Sequence, residues 1–189
     1  AYAGAQQITP NHPDIERALA RLAVAEAVSG LLEEAARQEH AGELEAARAS
    51  ATRALELDPA RESVRLSLAR LEAELDAQRF NREMSRGLRD LAAGRSARAR
   101  EAFAEAQALR PEARGPADGL AQAAELNRSA ALRGFERNAE QAAAREDYAQ
   151  ALAQYRAALR VDPHLVFARA GERRSATLAG IDGALTKLL

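Results

Sequence analysis

The chain has 189 residues, enough for one domain with a buried core, and its 28 acidic and 27 basic residues leave a net charge of -1. That balance removes the electrostatic argument for nucleic-acid binding. The absence of cysteine excludes a disulfide framework and a thiolate metal site.

Residues 1–13 read as a loose lead-in, with Gly4, Thr9, Pro10 and Asn11. Pro13 and Asp14 suit a first helical turn, proline for its fixed φ and aspartate for the helix dipole. The first helix is expected over about 14–40. Its apolar positions Ile15, Leu19 and Leu22, then Val24, Val28, Leu31 and Ala35, step by 4 and 3. Gly30 lies inside it at a cost of about 1 kcal/mol, and Gly42 ends it. A second helix is expected over about 44–57, carrying Leu44, Ala47, Ala51, Ala54 and Leu55. Pro59 then starts a third that runs toward Ala93. Val64, Leu68, Leu71 and Leu75 form one face there, and Phe80, Met84, Leu88 and Leu91 continue on a shifted one, with a break at Gln78 to Asn81 as the alternative to a continuous helix. A fourth helix spans about 96–109. Arg114-Gly115-Pro116 is punctuation, which puts the start of the fifth at Pro116 and its end near Arg145. The sixth runs from about Tyr148 to Val161. The seventh starts at Pro163 or His164 and carries Leu178, Ile181, Leu185 and Leu188. No stretch alternates with period two as a strand would.

Three segments of this series are copies of one another: Gly42 to Pro59, Gly94 to Pro111 and Glu146 to Pro163. The closing prolines lie 52 residues apart both times. Paired alanines recur at fixed places, Ala47 and Ala54, Ala99 and Ala106, Ala151 and Ala158. Phe103 and Tyr155 occupy one position, where the first copy has Ala51. Alanine on a contact face lets two helices approach closely, an aromatic fills the wider gap beside it, and proline cannot continue a helix. A fixed period is the mark of a repeat architecture. The 18-residue unit resembles the second half of a tetratricopeptide repeat, with Ala35, Gly87 and Ala139 at the small position of that family's first helix. The family period is about 34 residues, so the excess implies long first helices. The resemblance covers roughly 28–61, 80–113 and 132–165 and implies an all-α fold: a short right-handed superhelix of about seven helices in antiparallel pairs, with 14–189 as a single repeat domain.

The chemistry of an enzyme is not visible. His12, His40 and His164 are scattered without partners at metal-ligand spacing, and His40 suits the C-terminal end of a helix dipole. No phosphate loop, HExxH or GxSxG occurs. The run from Arg82 to Arg114 has eight arginines against five acids but lacks aromatic interleaving, Phe103 being its single aromatic, so it does not read as a nucleic-acid surface. We expect no metal and no cofactor. No run of 18 apolar residues occurs, so this segment is not expected to insert in a membrane.

The function expected is a non-catalytic scaffold that binds a peptide or partner protein in a concave helical groove. The alternative is a structural spacer, or a dimerisation module that holds flanking domains of a larger protein. In the family, ligands lie along fixed positions of the first helix. In the second copy these positions are Asn81, Met84, Ser85, Leu88, Leu91 and Ala92; in the third, Arg133, Glu136, Arg137, Glu140, Ala143 and Ala144; in the first, Ser29, Leu32, Glu33, Ala36, Glu39 and His40. Arg133 and Arg137 would fix an acidic group, and Met84, Leu88 and Leu91 would take apolar side chains. The lysine and asparagine of a chaperone-tail clamp are replaced by Leu32 and Ala36, so that ligand is not expected. The apolar last helix would pack on flanking sequence or on a second copy, as a homodimer. Lys187 is the only lysine. That bias, with the alanine excess, points to a GC-rich bacterial gene. The start at Ala1, with Met84 the only methionine, leads us to expect an excised or processed piece of something longer. No signal peptide is visible. The expected compartment is bacterial cytoplasm or envelope, with a lean to the periplasm.

Overall fold

The structure is a computed structural model that describes residues 12–186. Among the described residues it is all-α, with seven helices and no strand: α1 (Pro13–His40), α2 (Leu44–Leu57), α3 (Glu62–Ala92), α4 (Ser96–Leu109), α5 (Arg114–Ala144), α6 (Tyr148–Val161) and α7 (Val166–Thr186). Leu188 lies outside the described residues, as does most of the expected lead-in. The chain divides into two compact units, residues 1–82 and 83–189. The division falls inside α3, which is helical throughout 78–81, so no linker composition announces it.

Each long helix turns into a short one through the same motif. Gly42, Gly94 and Glu146 adopt left-handed φ values of 78°, 73° and 61°. The following N–H reaches back to the carbonyl five residues earlier: Glu43 to Gln38 at 2.9 Å, Arg95 to Asp90 at 2.8 Å and Asp147 to Ala142 at 3.0 Å. This is the Schellman arrangement, which satisfies carbonyls that the helix end would otherwise orphan. Glycine is favoured there because it has no Cβ to strain. Glu146 adopts the same conformation without that relief.

The closing prolines do not start the next helices, contrary to the sequence expectation. Each sits in a turn three residues earlier, and α3, α5 and α7 begin at Glu62, Arg114 and Val166. In the first such turn the Arg61 N–H bonds the Asp58 carbonyl at 3.2 Å. Pro116 is buried in the first turn of α5 rather than at its start, where the missing N–H costs nothing. At the other end of the chain, the His12 imidazole caps α1 by accepting the Asp14 N–H at 3.3 Å, ahead of Pro13 at the first helical position.

In the first unit, α1, α2 and the N-terminal part of α3 share two buried clusters. Val28, Ala54 and Val64 form one; Ala35, Leu44, Ala47, Ala51, Leu71 and Leu75 form the other. The pairing of early with late residues makes α2 antiparallel to both neighbours. Buried Ser50 donates to Gln38 Oε1 at 2.9 Å, so its hydroxyl is satisfied.

In the second unit the centre is Phe103 of α4, fully buried with Ala99 and Ala123. Its ring lies between two glycines. A Cβ added at Gly87 of α3 would stand 2.6 Å from the ring, and one at Gly119 of α5 would stand 2.7 Å from it. The absence of both side chains is what lets the ring enter. Fifty-two residues on, Tyr155 of α6 lies against Gly171 of α7, where an added Cβ would collide with its ring. Ala99 is buried and Ala97 exposed, as expected from the helix face.

Candidate functional site

The candidate groove residues fall into several environments. In the first copy, Leu32 packs on the Val28 cluster and Ser29 donates to the Ala25 carbonyl at 2.9 Å. Glu33, Ala36 and His40 are exposed. Glu39 accepts from both terminal guanidinium nitrogens of Arg70 on α3, with Nη2 to Oε2 at 2.7 Å. This hydrogen-bonded pairing lowers the Glu39 pKa and raises that of Arg70. Glu39 is therefore engaged in joining α1 to α3.

In the second copy, Asn81 belongs to the first compact unit and the others to the second. Met84 and Leu91 are half-buried and pack on the Phe103 cluster. They contribute to the core of the unit as well as to its surface. Ser85 and Ala92 are exposed, and Leu88 is 54% exposed, which is unusual for a leucine at an apolar helix position.

In the third copy, Arg133, Arg137 and Glu140 are exposed and Glu136 is half-buried, as is Ala143; Ala144 is exposed. None of the four charged residues makes an ion pair among the described residues. Elsewhere the same three-residue spacing does pair, as in Arg48 with Glu45 at 2.9 Å and Arg128 with Glu125 at 3.9 Å.

The second and third sets do not converge. Leu91 borders an open hollow with Gln122, Glu125, Leu126 and Ser129 of α5. Arg133 lies seven residues beyond Leu126, about 10 Å further along the helix at 1.5 Å per residue. The length of α5 carries the charged set away from the apolar one.

The sequence reading missed Gly119 and Gly171. The signal was present: each stands sixteen residues after an aromatic of the repeat, at the same 52-residue step. Among the described residues no group of three or more His, Cys, Asp or Glu side chains could hold a metal ion. No described helix is long and apolar enough to cross a membrane. Comparison with known proteins finds no match for this chain among protein-family models, curated proteins or solved structures.

Proposed function

We propose that the chain is a non-catalytic protein-interaction scaffold of tetratricopeptide-like helix pairs, and that it binds a peptide or partner protein along the exposed faces of its long helices. The observation that carries this reading is the repetition itself. One helix–turn–helix unit recurs three times with the same left-handed turn and the same 52-residue step. Stacked repeats of this kind present extended surfaces rather than enclosed reaction sites. Leu88 supplies an apolar anchor. Arg133 and Arg137, one turn apart and unpaired, supply like charges that an acidic group would relieve.

Selection of a displayed peptide library on the immobilised chain tests the reading. A scaffold enriches a defined motif with an acidic residue and an apolar one. Binding of the selected peptide weakens in a Leu88→Glu variant, and in an Arg133→Glu, Arg137→Glu variant; it also weakens with added salt. No enriched motif, or a motif indifferent to both variants, refutes it. The spacer or dimerisation reading is favoured by a different observation: Ile181 and Leu185 of α7 are 52% and 56% exposed. An uncovered apolar stripe of that kind suits contact with a second protein surface.

A further inference from the structure

The 52-residue step carries Glu39 and Arg70 of the first copy to Leu91 and Gln122 of the second. Glu39 and Arg70 bridge α1 and α3 with an ion pair. Leucine and glutamine cannot make that pair. At the same place between α3 and α5 there is an open hollow of about 340 Å³, lined by Leu91, Gln122, Glu125, Leu126 and Ser129. All five residues belong to the second compact unit. The apolar part of the hollow is short. Leu91 and Leu126 are half-buried, and Leu88, one turn before Leu91, is 54% exposed.

Glu125 on the rim already has partners on its own helix. It accepts from Ser129 Oγ at 3.4 Å and lies 3.9 Å from Arg128. Further along α5, Arg133 and Arg137 are exposed and unpaired. At about 100° per helical residue both fall within about 20° of the direction of Leu126. Glu136 falls about 80° to one side, and Glu140 comes nearly a turn after Arg137. The line that leaves the hollow along α5 therefore meets two arginines first.

We propose that this hollow seats one apolar side chain of an extended partner peptide, and that Arg133 and Arg137 hold a carboxylate of the same peptide about three residues away. The inference rests on the scaffold reading and adds a place, a conformation and a spacing to it. Arg133 stands about 10 Å along the helix from Leu126 at 1.5 Å per residue. An extended strand covers that distance in about three residues at about 3.3 Å each. A bound helix would take about seven residues and would need an apolar seat at each turn. Beyond Leu126 this face offers Ser129 and then arginine. Two guanidinium groups one turn apart repel each other, and a carboxylate between them relieves the repulsion and accepts their hydrogen bonds.

The test selects a phage-displayed library of random peptides on the full chain, then measures a synthetic copy of an enriched peptide by fluorescence anisotropy. Enriched peptides should share a large apolar residue with Asp or Glu about three positions from it. Moving the acid next to the apolar residue, or to about seven positions away, should weaken binding at least about tenfold, as the loss of a charge-assisted hydrogen bond does. A Leu126→Gln chain with unchanged circular dichroism should lose at least as much. An Arg133→Glu, Arg137→Glu chain should reject the peptide and accept a version with lysine in place of the acid. Absence of any enriched motif refutes the scaffold reading and this inference together. An enriched motif that lacks the spacing, or that tolerates the moved acid, overturns this inference alone. Failure of the lysine peptide on the charge-reversed chain also overturns it, as does a dimer of the unaltered chain that Leu126→Gln dissociates in sedimentation, the result expected if a second copy fills the hollow.

Discussion

Replacing Gly119 by alanine places a methyl group 2.7 Å from Phe103 Cδ1, Cε1 and Cε2. Carbon atoms at their preferred separation lie about 3.5–4.0 Å apart, so the overlap is about 1 Å with three atoms at once. Retreat is limited by α3, because Gly87 lies so near the ring that a Cβ added there would stand 2.6 Å from it. Overpacking of this kind costs about 1–3 kcal/mol. Against it stands the helical preference of alanine over glycine, about 1 kcal/mol. Gly134 on the same helix has nothing within 4 Å of an added Cβ, so Gly134→Ala retains the gain alone. The difference between the two variants isolates the overpacking at about 1–3 kcal/mol. Urea denaturation followed by far-ultraviolet circular dichroism measures it, with hydrogen exchange of α5 amides to locate it. Combining Gly119→Ala with Phe103→Leu should recover part of the loss, since the two sites are coupled through one contact. Stabilities of Gly119→Ala and Gly134→Ala within about 0.5 kcal/mol of each other, the usual scatter for uncoupled sites, would refute the glycine-gated insertion of Phe103.

Two further outcomes follow from single residues. Glu146 holds a φ of 61° at the turn where the other copies have glycine, so Glu146→Gly should stabilise the chain by about 1 kcal/mol in thermal or urea unfolding; a neutral or destabilising result would mean that the turn is not strained. Glu39 has a folded-state pKa depressed below 4.5 by its hydrogen-bonded pairing with Arg70, so its contribution to stability is fully present above the unfolded value and is lost as pH falls through the folded one. Arg70→Gln should raise the Glu39 pKa toward 4.5 in an NMR titration, and the stability gap between variant and parent should close in acid. Because Arg70 is 57% exposed, the gap at neutral pH should be small.

The short helices were legible almost to the residue. Their expected spans, about 44–57, 96–109 and 148–161, correspond to Leu44–Leu57, Ser96–Leu109 and Tyr148–Val161, because a left-handed turn fixes one end and a proline turn the other. The long helices were less legible. Proline was taken for a helix start, whereas Pro59, Pro111 and Pro163 each close a turn that precedes the helix. The face over Val64, Leu68, Leu71 and Leu75 was readable because most of it is buried; Leu88, on the same spacing further along, is exposed. Periodicity identifies a helix face but not whether another helix lies against it. The candidate site was least legible for this reason. Glu39 and Met84 stand at positions indistinguishable in sequence from Arg133 and Leu88. Only tertiary packing ties the first to Arg70 and turns the second toward Phe103.

The spacing of α5 shows how one long helix seats two short ones. Gly119 receives the aromatic of the preceding short helix, and Ala139 stands at the register that receives the following one, as Gly87 does for Phe103. Both Gly119 and Ala139 are buried. They are 20 residues apart; at 3.6 residues per turn this is roughly five and a half turns. The two seats therefore lie about 30 Å apart on nearly opposite sides of one helix, so α4 and α6 pack on it without competing for the same face.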